Sequence, residues 1–203
     1  MKRSLCLCCA LLACGAADAS GPEQLQAFVA KVQTARAHFS QSVLPKSGRK
    51  PQLSQGSFAF ARPGKFRLSY EQPYAQLLVG DGERLWVYDA DLNQVSVRKL
   101  DRALGASPAT LLAGDGHLER DFVVSDAGSH DGLEWVEARP RAAEGGFERV
   151  RIGFKEQGPQ QMEVVDNFGQ TTTLTFSRIE RNPVLDPKLF QFVPPKGADV
   201  LKE

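Results

Sequence analysis

Residues 56–72 read GSFAFARPGKFRLSYEQ, and their pattern indicates the type of fold most clearly. Its apolar residues recur with a period of two on either side of a Pro-Gly pair: Phe58 and Phe60 come before it, and Phe66, Leu68 and Tyr70 after it. Successive side chains of a strand point to opposite faces, so each run presents one apolar face. Pro-Gly is typical of a turn. The stretch therefore predicts a β-hairpin with aromatic side chains along one face.

Similar short runs, each bounded by turn residues, continue outward along the chain. A strand is also expected around Ala37, Phe39 and Gln41, which alternate with polar neighbours. The remaining predicted strands are Leu53–Ala61, Lys65–Gln72, Gln76–Gly80, Arg84–Asp89, Gln94–Lys99, His117–Ser125, Leu133–Arg139, Phe147–Lys155, Gln160–Asp166 and Gln170–Ile179. Many short strands joined by tight turns predict a mainly β fold, with an antiparallel sheet that is curved or closed like a barrel.

Two helical segments interrupt this pattern. Near the start, Leu25, Phe28, Val29 and Val32 follow the spacing of an amphipathic helix. Later, Ser107-Pro108 has the form of a helix start before 109–113, which predicts a short helix lying over the sheet. The proline-rich chain from residue 182 onward is expected to be irregular.

The first residues have the pattern of an export signal. Lys2 and Arg3 precede an apolar run over Leu5–Cys14, and Ala17-Asp18-Ala19 matches a small-x-small cleavage site. We therefore expect a signal peptide at 1–19, which places the mature protein in the periplasm. A second reading stays open, in which Leu-Leu-Ala-Cys is a lipoprotein signal and Cys14 becomes an acylated first residue.

Composition narrows the class of the remaining chain. All four cysteines lie within residues 1–19, so a mature chain has no disulfide and no cysteine nucleophile. The 25 basic and 24 acidic residues balance, which argues against nucleic acid as a partner. Residues 20–203 show no repeat or linker, and we expect a single domain there.

Motifs for catalysis or metal binding do not emerge. His38, His117 and His130 are not spaced as metal ligands, and no nucleophile elbow or phosphate-binding loop is recognisable. The sequence predicts no catalytic residue, no metal and no cofactor. A periplasmic hydrolase built from dispersed carboxylates stays as an alternative of another class, and it would show turnover that depends on one acidic residue or histidine.

Arg62 allows two interpretations. An arginine at a strand end commonly extends its charged group to water while its stem packs on apolar residues. It could instead face an apolar cavity, where its five donors need acceptors such as the free carbonyls at the end of a short helix. Trp86 and Tyr88 share a strand face, and their pattern fits core packing and cavity lining equally well.

Several of these segments together resemble a known family. The string over 55–67 is similar to the arginine-proline strand signature of the periplasmic outer-membrane lipoprotein carriers, the LolA family. Further similarity covers 35–41, 72–74, 81–82, 85–95, 107–112 and 190–195, in the family's order. Leu68 stands where some members have tryptophan, and no cysteine is present to fix the C-terminal segment.

The resemblance implies a fold, a site and partners. The fold is an incompletely closed antiparallel β-barrel, with an N-terminal helix and short lid helices over a hydrophobic cavity. The cavity would hold the acyl chains of lipoproteins, received from an inner-membrane ABC transporter and passed to an outer-membrane receptor. We expect a non-enzymatic monomer. Arg62 would control the lid and Pro108, Leu111 and Leu112 would belong to it; the expected cavity residues are Phe58, Phe60, Phe66, Leu68, Tyr70 and Trp86. The alternative function is a membrane-tethered receptor or a carrier of another periplasmic lipid.

Overall fold

The computed structural model describes residues 19–100, 109–114, 118–141, 146–156 and 158–202. Three α-helices lie in these parts: α1 (Gly21–Lys31), α2 (Ala109–Ala113) and α3 (Leu118–Asp121). A 3₁₀ helix spans Pro187–Phe190. The strands are β1 (Thr34–Leu44), β2 (Gln52–Ala61), β3 (Lys65–Gln72), β4 (Gln76–Asp81), β5 (Arg84–Asp89), β6 (Gln94–Lys99), β7 (Phe122–His130), β8 (Leu133–Pro140), β9 (Phe147–Lys155), β10 (Gly158–Asp166), β11 (Thr171–Arg181) and β12 (Asp199–Lys202).

All twelve strands belong to one sheet, in the order β12-β6-β5-β4-β3-β2-β1-β11-β10-β9-β8-β7. The sheet is unclosed, with β12 and β7 as its outer strands. Neighbouring strands are antiparallel except for β12, which runs parallel to β6. The predicted mainly β fold with an incompletely closed antiparallel sheet is thus confirmed, with one parallel pair added.

The hairpin predicted from residues 56–72 forms as β2 and β3. Phe60 pairs with Phe66 and Phe58 pairs with Leu68, so the aromatic side chains share the concave face of the sheet. They join one buried cluster with side chains of α1, α2 and the second half of the sheet. This cluster is the main core, and it lies between the sheet and the helices.

Helix α1 forms where the amphipathic spacing predicts it. The backbone N–H of Ser20 donates to Glu23 Oε2 at 2.9 Å, which satisfies a group at the helix start. Leu25, Phe28 and Val32 are buried. The Phe28 ring meets Phe60 edge-on at 6.2 Å and Phe154 at 6.1 Å, so α1 packs on both halves of the sheet.

Two sequence predictions are corrected. The strand expected over 117–125 is instead the short helix α3 followed by β7, which begins only at Phe122. The chain after residue 182 is not wholly irregular, because it forms the 3₁₀ helix and then β12. Sequence signals for both are weak, since α3 has a single turn and all four β12 residues are exposed.

The C-terminal segment also covers part of the sheet's outer face. Phe190 is buried there, and the Phe192 ring lies 5.7 Å from Trp86 and 6.0 Å from Tyr88. Val79 and Val95, next to these aromatics on neighbouring strands, are fully buried. The half of the sheet containing β4, β5 and β6 is therefore apolar on both faces.

No helix in the described ranges is long and apolar enough to cross a bilayer.

Candidate functional site

A cavity of about 290 Å³ lies between the concave face of the sheet and α2. Leu78 on β4 and Phe147 on β9 both line the cavity, although five other strands lie between β4 and β9 in the sheet. The sheet therefore curves strongly around the cavity. Most of its wall is apolar. The apolar lining consists of Phe58, Leu68, Leu78, Leu112, Phe147, Met162, Val164, Leu174 and Phe176.

One end of the cavity is polar. The Tyr70 hydroxyl donates to Gln41 Oε1 at 3.0 Å, and Gln41 Nε2 donates to Ser54 Oγ at 3.2 Å. Burial raises the pKa of the Tyr70 hydroxyl, against the effect of its hydrogen bond to Gln41, so the group stays a neutral donor at ordinary pH. Asp166 and Gln170 complete this end. The cavity thus offers an apolar interior and a few hydrogen-bonding groups, a combination typical of small-molecule and lipid sites.

Arg62 connects the β2–β3 turn to both helices that cover the sheet. Its Nε donates to the Val32 carbonyl at the end of α1, and its Nη1 donates to the Gly114 carbonyl just after α2, both at 2.9 Å. The Gly64 N–H adds a bond to the Ala113 carbonyl at 2.9 Å. These acceptors are the free carbonyls that a helix end leaves unsatisfied. Arg62 therefore faces the covered interior, and the reading in which it extends to water is wrong.

Burial of the Arg62 guanidinium reduces the net stabilisation that its hydrogen bonds provide. Its guanidinium lies 5.1 Å from the Phe60 ring centre and 5.8 Å from that of Phe28, within cation–π range. Burial lowers the pKa of Arg62 from its ordinary value to about 10, and Nη2 is buried without a partner among the described residues. Part of the gain from the hydrogen bonds is thus offset by lost hydration.

The expected cavity residues fall into two groups. Phe58, Leu68 and Tyr70 line the cavity, as does Leu112 from the expected lid segment. Phe60 and Phe66 are buried in the adjoining core, as is Leu111 from the expected lid segment. Pro108, also expected in the lid segment, lies outside the described residues.

Trp86 does not line the cavity, which corrects that expectation. Its side chain is on the outer face of β5, where Nε1 donates to Asp81 Oδ2 at 2.8 Å and the ring packs against Phe192. Leu85 and Val87, which alternate with Trp86, turn toward the main core instead. Strand β5 is apolar on both faces, so the alternation of side chains does not show which face of the strand lines the interior of the sheet.

Sequence reasoning missed the far wall of the cavity. Met162 and Val164 on β10, and Leu174 and Phe176 on β11, line it from the second half of the chain. The two residues of each pair are two positions apart within a correctly predicted strand, so alternation indicates that they share a face. Alternation does not indicate that β1 pairs with β11, and this pairing brings these residues opposite Phe58.

A curved, unclosed sheet with a short helix over an apolar cavity defines the class of fold to which this chain belongs. Solved structures share it: a conserved protein from Thermus thermophilus has a TM-score of 0.54 at 12% identity, covering 90% of this chain and 96% of its own. A LolA superfamily protein from Nitrosomonas europaea has a TM-score of 0.51 at 12% identity, covering 86% and 98%. At such identity the likeness concerns the fold alone.

The family follows from sequence. The model of the outer membrane lipoprotein carrier protein LolA matches residues 30–193. An outer-membrane lipoprotein carrier protein from Dechloromonas aromatica is 49% identical over 92% of this chain and 90% of its own length. One from Nitrosospira multiformis is 50% identical over 95% and 94%. The chain belongs to the LolA family of outer-membrane lipoprotein carriers.

Proposed function

We propose that this protein is a periplasmic carrier that binds the acyl chains of lipoproteins released from the inner membrane and delivers them to an outer-membrane receptor. Residues 1–19 would be a cleaved signal peptide, and residues 20–203 a single carrier domain without catalytic activity. The observation that carries the proposal is the apolar cavity beneath α2, together with the arginine that joins the ends of α1 and α2 to the sheet. The carrier names of its close relatives support the same conclusion.

The size of the cavity implies that loading widens it. About 290 Å³ lies at the lower end of the range for one small-molecule ligand. The acyl chains of a lipoprotein need far more space. We infer that α1 and α2 move away from the sheet when cargo enters, which would bring Phe60, Phe66 and Leu111 into contact with the acyl chains alongside Phe58, Leu68 and Tyr70.

A carrier needs an interaction that favours its empty state, because burying acyl chains alone would bind the cargo too tightly to release it. Burying a CH₂ group contributes roughly 0.8 kcal/mol, so three long acyl chains would contribute more than about 30 kcal/mol if fully buried. Non-covalent affinities saturate near about 20 kcal/mol. A site that bound the chains so completely could not release them. The Arg62 bonds to Val32 and Gly114 hold the helices to the sheet in the arrangement described here. Moving the helices away would break these bonds, so they would favour the closed, empty state.

The partners follow from this role. An inner-membrane ABC transporter would supply the acylated cargo, an outer-membrane lipoprotein receptor would accept it, and the carrier would act as a monomer without cofactors. The alternative is a membrane-tethered receptor anchored through Cys14, or a carrier of another periplasmic lipid.

Native mass spectrometry of protein recovered from the periplasm tests the proposal. A mature chain beginning at Ser20 and bound to triacylated lipoproteins is the expected result. A chain beginning at an acylated Cys14, or one bound to a different lipid, would favour the alternative.

A matched pair of variants connects the binding to the cavity. Thr172 lines the cavity, whereas its neighbour Thr173 is on the outer face of β11. We expect Thr172→Trp to fill the cavity and reduce the amount of lipoprotein recovered with the protein, and Thr173→Trp to leave it unchanged. Equal recovery with both variants would mean that the cargo is held elsewhere.

A further inference from the structure

Three hairpin tips stand side by side at the polar end of the cavity. Leu44, the last residue of β1, pairs with Thr171 at the start of β11, so the β1–β2 and β10–β11 tips are neighbours. The Lys46 side chain lies over Gly169 and joins them directly. Gln55 on β2 pairs with Gln72 on β3, which brings the β3–β4 tip alongside as well. We call these three tips the mouth rim, because the cavity residues Asp166 and Gln170 flank one of them.

The mouth rim exposes large apolar side chains. Phe168 is 84% exposed, Tyr74 72%, Leu53 69% and Leu44 47%. Exposed apolar groups that cluster in one region commonly mark an interaction site. Because the three tips adjoin one another, these four side chains form one apolar surface and are not scattered residues.

The β1–β2 tip adds positive charge. Lys46, Arg49 and Lys50 are all exposed, and residues 44–53 contain no acidic residue. Exposed apolar side chains beside basic ones fit the surface of an anionic bilayer. Such a surface attracts the positive charges and accepts the apolar groups just below its headgroups. Tyrosine also favours that boundary. A protein partner would need a separate pocket for each tip, whereas fluid lipids adapt to projecting side chains.

We propose that the mouth rim docks this protein on anionic lipid bilayers, with Leu44, Leu53, Tyr74 and Phe168 entering the headgroup layer. Docking in this way directs the polar end of the cavity at the membrane surface. The cavity would then lie beside the membrane that holds the transporter or the receptor, so the acyl chains would cross little open water between that protein and the cavity. The docking does not depend on the cargo, so it is testable with the empty protein.

The test measures binding of the cargo-free mature protein to vesicles by flotation. One set of vesicles contains phosphatidylglycerol and phosphatidylethanolamine, and the other contains phosphatidylcholine alone. We expect clear binding to the anionic set and much weaker binding to the neutral set. Each basic residue near an anionic surface contributes on the order of a fivefold increase in affinity. Replacing Lys46, Arg49 and Lys50 by Gln is therefore expected to lower binding to anionic vesicles by up to about 100-fold.

Matched variants separate the rim from general surface effects. Leu53→Ser combined with Phe168→Ser removes apolar groups from the rim and is expected to lower binding at least tenfold. Val184→Ser is the control, because Val184 is fully exposed but follows Pro183, whose carbonyl accepts from Thr34 at the opposite end of β1. For charge, the control replaces Lys65, Lys99 and Lys155 by Gln; all three lie at the opposite end of the sheet.

Several results would overturn the proposal. Wild-type protein that does not float with anionic vesicles contradicts it directly. Equal losses from the rim variants and their controls would assign the binding to the whole surface. Rim variants that bind vesicles normally but fail to transfer cargo would identify the rim as a protein-docking surface instead.

Discussion

Replacing Arg62 by Leu tests the link between the lid and cargo release. The substitution removes two bonds from a charged donor to the Val32 and Gly114 carbonyls, each at 2.9 Å. Such bonds contribute roughly 1.5 to 3 kcal/mol each before costs. The lowered pKa of Arg62, about 10, corresponds to a cost of up to about 3 kcal/mol for keeping the charge buried. Solvent screening reduces that cost because Arg62 is only half-buried.

The difference leaves about 2 kcal/mol in favour of the closed lid, or about 30-fold in the ratio of closed to open protein. In Arg62→Leu this preference is lost, and leucine adds apolar surface that suits the open, loaded state. We therefore expect the variant to accept lipoprotein normally and to hold it more tightly. Transfer to the receptor should slow by a factor of about 10 to 100.

The assay follows transfer of a labelled lipoprotein from the purified carrier complex to membranes that contain the receptor. Arg67→Leu is the matched control, since Arg67 also donates to a backbone carbonyl, that of Leu189 at 3.3 Å, but on the outer face of the sheet. If Arg62→Leu released cargo as fast as the wild type, the lid would not depend on these bonds. Equal slowing by both substitutions would point to general instability.

Three further predictions concern stability and the C-terminal segment. Gly80→Ala places a Cβ within 2.6 Å of two atoms of the Phe66 ring, so we expect a loss of about 1 to 3 kcal/mol in denaturant unfolding; an unchanged midpoint would mean that the ring moves freely. Burial opposes ionisation of Glu137, but hydrogen bonds from two arginines, at 2.7 and 2.8 Å, outweigh it and hold the pKa of this carboxyl below 4.5. Its contribution is present above pH 4.5 and is lost as the pH falls through the lowered value, so Glu137→Gln should destabilise the protein most at pH 7 and progressively less as the pH is lowered below 4.5; a pH-independent effect would contradict this. Phe192→Ser removes the ring that packs on Trp86, and we expect faster proteolysis of the C-terminal segment and a shifted Trp86 fluorescence, with lipoprotein binding retained.

The sequence predicts well the part of the cavity wall formed by β2 and β3, because these strands have one apolar and one polar face. In β3 the alternation of Phe66, Leu68 and Tyr70 with polar residues identifies the inner face without further information. The sequence alone allows two interpretations of Arg62, because the acceptors that decide between them, Val32 and Gly114, lie 30 and 52 residues away. A local pattern contains no information about partners at that separation.

Other features depend on tertiary contacts to a greater degree. The sequence pattern and the resemblance predict Trp86 in the cavity, but its ring lies on the outer face, where Phe192 packs on it. Strand β12 has four exposed residues and exists through its parallel pairing with β6, which no local preference indicates. Both errors arise from the C-terminal segment, whose short elements are stabilised by the sheet that they cover.

The unclosed sheet has a mechanical consequence. In a closed cylinder of strands, the number of strands and their stagger fix the radius, so widening the interior means breaking backbone hydrogen bonds. Here β7 and β12 end the sheet on separate edges, and no ladder joins them. The sheet can become slightly less curved while every strand keeps its hydrogen-bonded neighbours. The cavity volume then depends on how easily the sheet bends and not on a fixed circumference, which suits cargo whose acyl chains differ in size.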